Sequence, residues 1–300
     1  MATVRMIGKS LLLSSYSRFP FFDALHSFIL LCVYTAKTTT TTKSVAELQI
    51  SPSTSPVTGG SLEESKEALA IAETDGRLFC TVGVHPTRCK EFEENGNPRS
   101  ISRRWCHWRR RGSIRERYFE KQFELAEAVK LPMFLHMRAA AEDFSDILAR
   151  NKHRFNGGVA HSFTGSMEDL DKLLSFDNLF LGINGCSLKT ADNLHVLSSI
   201  PVERMMIETD SPYCEIKNTH AGVKFVKSVW PSKKKEKYDP DSTVKGRNEP
   251  CLVRQVLEVV AGCKGVSDLG PLSRTLYHNT CRLIETPISA TSLKDYIPPD

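Results

Sequence analysis

Four short apolar runs recur along the chain: Leu131-Pro-Met-Phe-Leu-His136, Gly157-Gly-Val-Ala-His161, Leu179-Phe-Leu-Gly-Ile-Asn184 and Arg204-Met-Met-Ile-Glu-Thr-Asp210. Each has the length of a buried strand, and stretches of about ten residues with helical spacing separate them. The order is therefore strand, helix, strand, helix, the pattern of an α/β fold with a parallel sheet. In a (β/α)8 barrel all strands point one way and their C-terminal ends share one face. Three of the four runs end on a side chain of metal-binding type: His136, His161 and Asp210.

The same reading extends in both directions. A strand is expected near Thr58, and Ser61-Leu-Glu-Glu64 has the form of a capping box at the start of a helix through Ala72. Leu78 to His85 reads as a further strand, stopped by Pro86. Tyr118 to Lys130 is an amphipathic helix whose buried stripe is Phe119, Phe123 and Ala126, with Tyr118, Leu125 and Val129 beside it. Helices follow over 141–150, after a cap at Gly165-Ser166 with Asp169 three residues on, over Leu188 to Ser198, over Leu252 to Val260 behind Pro250, and from about Pro271 to Ile284. This gives about six strands, two short of a complete barrel.

Residues 1–56 differ from the rest: they hold only two acids, Asp23 and Glu47, and many Ser and Thr. Their apolar piece, residues 27–36, is about half the ~20 residues a membrane span needs, so stable membrane association is not expected. Such a piece also suits a signal or transit segment, or an unstructured leader. Residues 57–285 read as the barrel domain and 286–300 as a polar tail. Within the domain, residues 99–117 form an irregular insert with eight arginines, Trp105 and Trp108. Interleaved Arg and Trp can stack on single-stranded nucleic acid, but nothing periodic supports a platform here, and a loop without a selected role is the plainer reading. That insert carries +7 of the chain's formal +5, leaving −2 for everything else, so global charge does not argue for nucleic acid. Lys233-Lys-Lys-Glu-Lys237 reads as a solvated run, with phosphate attraction as the alternative. The nine cysteines follow no C-x-x-C spacing and read as free thiols of a reducing compartment, the nucleus or the cytoplasm.

The chemistry follows from the strand ends. Side chains two apart on a strand face the same way, so Asp210 shares its side with Glu208, and His136 and His161 crown their own strands. Two neutral imidazoles and a carboxylate suit a divalent ion such as Zn²⁺ or Mn²⁺, and such an ion generates hydroxide at neutral pH. Asp210 is also placed to take the proton of the attacking water. Arg138, Lys189 and His85 are candidates for holding a phosphate, while Cys186 and His220 read as supporting residues.

The motifs Thr58-Gly-Gly60, Val82-Gly-Val-His-Pro86, Pro132-Met-Phe-Leu-His136-Met-Arg138, His161-Ser-Phe163, Gly182-Ile-Asn-Gly185, Glu208-Thr-Asp-Ser-Pro212 and Arg247-Asn-Glu-Pro250 together resemble the TatD-related deoxyribonucleases, in that family's order. The stretch Asn184-Gly-Cys-Ser-Leu-Lys189 resembles the eukaryotic branch. The resemblance implies a TIM-barrel hydrolase that cleaves DNA phosphodiesters with two divalent ions (Mg²⁺, Mn²⁺ or Zn²⁺), commonly as a 3′→5′ exonuclease. It implies ligand roles for His136, His161 and Asp210. Two family features are absent from this sequence: the first-strand H-x-H or D-x-G-x-N motif, and the G-E-x-G-L-D strand whose Glu bridges the two metals. Losing that carboxylate leaves two neighbouring cations without a shared anion, so the second ion and full activity are in question. The alternatives are an inactive binding protein of this lineage and a different amidohydrolase-like enzyme. Oligomeric state is not legible.

Overall fold

The computed structural model describes residues 55–58, 64, 67, 68, 78–81, 85, 114–137, 140–237, 239 and 241–284. Expectations for residues 1–54, the Ser61 capping box, the segment 99–113, Arg138 and the tail 286–300 lie outside these residues.

A four-stranded parallel sheet organises the molecule, with strands in chain order: β3 Met133–His136, β4 Gly158–His161, β5 Leu179–Ile183 and β6 Met205–Ile207. The crossovers carry α2 Ala141–Arg150, α3 Met167–Leu174 and α4 Ala191–Ser199. Earlier in the chain, β1 Ser55–Thr58 pairs in parallel with β2 Leu78–Thr81, and α1 spans Ile114–Val129. After β6 come two two-residue strands, β7 Ser232–Lys233 and β8 Thr243–Val244, then α5 Val253–Lys264 and α6 Leu269–Ile284. The fold is α/β and TIM-barrel-like, with only part of a barrel's strands among the described residues.

Each strand buries both faces, which is why its sequence is apolar throughout rather than alternating. One face, with Met133, Leu135, Ala160, Leu179, Leu181, Ile183, Met205 and Ile207, packs on the helices in the main core. The other presents Phe134, Val159, Phe180 and Met206, which form a second apolar cluster with Leu283 of α6. Two residues further along each strand, on that same inner face, come His136, His161, Gly182 and Glu208. The inner side of the sheet thus changes from apolar to polar within one layer at its C-terminal rim, as barrel interiors do below an active site.

Local signals explain the helix starts. Ser166 caps α3 through the reciprocal box with Asp169, as the sequence indicates. Leu188 to Ser198 is not one helix: Gly185–Leu188 is a 3-10 turn, and α4 starts afresh behind Thr190, whose hydroxyl accepts from Asn193 N–H. Helix α1 begins at Ile114, four residues earlier than Tyr118, so the end of the supposed irregular insert is helical. Helix α5 continues past Val260 to Lys264 and ends where Gly265 takes a left-handed φ of 64°.

Two strand boundaries need correction. Strand β2 stops at Thr81, so His85 lies four residues beyond it. Strand β6 stops at Ile207, and Asp210 sits in a turn with a left-handed φ of 57° rather than at the strand's end. The backbone reverses there because Tyr213 N–H bonds Asp210 O, at 2.8 Å.

Candidate metal centre at the C-terminal rim

Strand register brings the two histidines together. His136 is the pairing partner of His161 across β3 and β4, and their ring centroids are 5.5 Å apart. His85 joins them, its ring 5.0 Å from His136 in an edge-on arrangement. Asp210 reaches the same rim from its turn: its Oδ1 is 4.0 Å from His161 Nε2. The strand-end reading expected His136, His161 and Asp210 at one rim; these contacts link His85 to His136, His136 to His161 and His161 to Asp210.

A residue the sequence only placed nearby proves central. Glu208 is 3% exposed, and its Oε1 lies 2.8 Å from His161 Nδ1. The same oxygen accepts from Ser162 N–H at 2.7 Å and from Asn184 Nδ2 at 3.1 Å. Room for this carboxylate exists because β5 carries Gly182 opposite it; a Cβ there would lie 2.9 Å from Glu208 Oε2. Burial works against a charged His161 imidazole, but Glu208 and then Asp210 outweigh it and raise the pKa above 6.5. Burial pushes the Asp210 carboxyl above the usual carboxylate range, opposed by His161 and by a hydrogen bond from Cys214.

Behind these side chains two turns press together. Asn184 Oδ1 accepts from Cys186 N–H at 2.9 Å, fixing the turn after β5. Gly185 in that turn faces the Asp210 loop so closely that a Cβ would fall 2.0 Å from Cys214 O. Cys186 Sγ and Cys214 Sγ are consequently 3.1 Å apart, and Cys214 Sγ is 3.1 Å from Asp210 Oδ2. The hydrogen bond with Cys214, helped by Lys189, draws the Cys186 thiol down to about 6, whereas that bond and burial push Cys214 up. Cys186, Cys214, Cys251 and Cys263 form no disulfide. Three non-glycine residues of this rim take left-handed φ: Ser162 at 52°, Asp210 at 57° and Cys214 at 59°. Such conformations cost of order 1–3 kcal/mol each and cluster where function fixes them.

Lys189 is exposed at the edge of this cluster, its charge felt by Cys186 and by His220. His220 is buried, its Nδ1 has no hydrogen-bond partner, and burial with Lys189 and Lys217 holds its imidazole below 6.5.

The donor set fits a divalent ion in kind. Two ligands each 2.0–2.2 Å from one ion at a tetrahedral angle are about 3.4 Å apart, so the 4.0 Å between His161 and Asp210 is a small side-chain rotation away. Among the described residues no three ligating side chains close tightly round a single point. No described helix is long and apolar enough to cross a membrane.

Comparison with known proteins shows the family and agrees with the fold. Residues 105–285 match the family described as TatD related DNase. The chain is similar to "Deoxyribonuclease Tat-D" of Schizosaccharomyces pombe, 36% identical over 256 residues covering 76% of this chain and 81% of that protein. It is also similar to "3'-5' ssDNA/RNA exonuclease TatD" of Edwardsiella piscicida, 32% identical over 68% of this chain and 78% of that one. A crystal structure of a hydrolase of the TatD family from Entamoeba histolytica superposes with a TM-score of 0.68 at 25% identity, covering 78% of this chain and 85% of that one.

Proposed function

We propose that this chain, which belongs to the TatD related DNase family, is a metal-dependent hydrolase that cuts DNA phosphodiester bonds at the rim formed by His136, His161 and Asp210. The observation that carries the reading is the in-register pairing of His136 with His161, with the Asp210 carboxylate 4.0 Å from His161 Nε2. The family is metal-dependent; here His136, His161 and Asp210 would hold one ion. A bound divalent ion supplies a Lewis acid for the phosphoryl oxygen and lowers the pKa of water to about 7. Ser162 and Asn184 already hold the Oε1 of Glu208, and the sequence lacks the family's bridging Glu strand, so two neighbouring cations would have no shared anion. One ion of Mg²⁺, Mn²⁺ or Zn²⁺ is therefore the load we assign.

The chain's own residues divide the remaining work. Glu208 beside Nδ1 favours a proton on that nitrogen, which leaves Nε2 with its lone pair toward Asp210. Asp210, one oxygen toward His161 and the other toward the Cys214 thiol, takes the proton of the attacking water. Lys189 and His85 flank the rim, where a cation and an imidazole meet the phosphate. Attack at the terminal linkage makes the activity a 3′→5′ exonuclease, as the name of the Edwardsiella relative states for that protein.

The test is degradation of a 5′-labelled single-stranded oligonucleotide with Mg²⁺, Mn²⁺ or Zn²⁺ by the wild type, His161→Ala and Asp210→Asn. Shortening from the 3′ end by the wild type, reduced at least 100-fold in both variants, is expected. Equal, slow degradation by all three would remove the enzyme reading.

A further inference from the structure

Lysines are crowded into one segment next to this site. Between Lys224 and Arg247 the chain has eight basic residues against Glu236, Asp239 and Asp241. Lys233 is paired with Asp239, and Arg247 with Glu249 at 2.9 Å. Among the described residues no carboxylate pairs with Lys234, Lys235, Lys237 or Lys245, and all four are exposed. Four like charges on a short segment repel one another unless a counter-charge is bound.

The segment is fixed, and what fixes it is the loop of Asp210. Lys245 N–H bonds Lys233 O at 2.8 Å, so β7 and β8 hold the lysine run against residues 243–245. Three residues on, Asn248 is buried and donates Nδ2 to Thr209 O at 2.8 Å and to Tyr213 O at 2.6 Å, while its N–H bonds Pro212 O at 3.1 Å. At that junction the Tyr213 ring stands 72% exposed, although the aromatic side chains of the sheet, Phe134 and Phe180, are buried. An exposed ring in the loop that Asn248 ties to a lysine-bearing segment offers what single-stranded nucleic acid binds: phosphates along the charges, a base on the ring. Duplex bases are stacked on one another and offer no face to Tyr213.

We propose that Lys234, Lys235, Lys237 and Tyr213 form the track that delivers single-stranded DNA to the Asp210 rim, with the three lysines on phosphates and Tyr213 stacked on a base. This rests on the nuclease reading above for its direction but not for its measurement.

The experiment is fluorescence anisotropy of the full chain with a labelled single-stranded oligonucleotide, titrated at several salt concentrations with divalent ions chelated. Replacing Lys234, Lys235 and Lys237 together by Ala is expected to weaken binding at least 10-fold and to reduce the slope of log K against log salt by about 2, at roughly 0.7 per lost phosphate contact on a single strand. Tyr213→Ala is expected to lose roughly 5-fold or more in affinity with the slope unchanged, as loss of one stacked base does, and Tyr213→Trp to restore it. A duplex of the same sequence should bind more weakly and ignore Tyr213→Ala. Unchanged affinity and slope in the triple variant, or equal loss of duplex and single-strand binding in Tyr213→Ala, overturns the proposal. A chain that binds as expected yet cuts nothing refutes the hydrolytic reading alone.

Discussion

Glu208 Oε1 lies 2.8 Å from His161 Nδ1 and at the same time accepts hydrogen bonds from Ser162 N–H and Asn184 Nδ2. One buried oxygen thus ties β6 to the ends of β4 and β5 and sets which nitrogen of His161 faces outward. Glu208→Gln keeps the shape but turns an amide toward donors that need an acceptor. Metal affinity by calorimetry and hydrolysis rate are both expected to drop about 10- to 100-fold, the range seen when the partner of a ligating histidine is removed. Unaltered values would show that His161 is oriented by packing alone.

Gly182 is the steric counterpart of that carboxylate. With the Cβ of an alanine 2.9 Å from Glu208 Oε2, either the strand or the carboxylate must shift. Gly182→Ala is expected to cost about 1–3 kcal/mol in thermal or denaturant unfolding, as overpacking does, and to reproduce the Glu208→Gln loss of metal affinity. Wild-type affinity in a folded Gly182→Ala protein would mean that Glu208 moves freely.

Glu258 gives the fold a pH dependence. Burial alone would raise its pKa, but bonds from Ser228 Oγ at 2.5 Å, from the N–H groups of Lys227 and Ser228 at 2.7 and 3.0 Å, and from Arg254 hold it below the usual range. A carboxyl lowered by folding contributes stability that is complete above its unfolded pKa of about 4.3 and is lost as pH falls through the folded value. Glu258→Gln is expected to lower stability by about 1.5–3 kcal/mol at pH 7 and by less in acid, where the wild type has also lost the charge. Urea unfolding at pH 7 and below pH 4 measures both; a constant difference between them would discount the ionised form.

Cys186 should be the reactive thiol among those described. Its pKa of about 6 makes it largely thiolate at pH 7, whereas burial raises Cys251 to about 11 and lifts Cys263 as well. Brief treatment with iodoacetamide at pH 7, followed by peptide mass mapping, is expected to find Cys186 modified first. Cys214→Ser, which weakens the hydrogen bond lowering that pKa, should slow the reaction.

Much of this was legible in the sequence because strands buried on both faces leave unbroken apolar runs, and β3, β4 and β5 fall within those runs. His136 and His161 follow from that: a register set by the strands leaves little freedom to residues at their ends. The boundaries near the rim were less legible. Asp210 reads as a strand residue because Met206, Glu208 and Asp210 alternate correctly, and only the left-handed backbone and the bond from Tyr213 N–H reveal a turn. The role of Glu208 was hidden for a different reason. A lone Glu in an apolar run is ambiguous until its neighbour on β5, Gly182, is seen to vacate the space it fills. The strands β7 and β8 were invisible, since two residues of ladder leave no pattern.

Gly185 takes part in no bond-making step, yet it lies where the two turns of the rim touch, with Cys214 O only 2.0 Å from the position of an absent Cβ. Tolerance of sequence change is therefore low at a position that an inventory of reactive groups would pass over. A methyl group in place of a hydrogen would push the Asp210 turn outward, and the proposed metal centre would come apart with His136, His161 and Asp210 all unchanged.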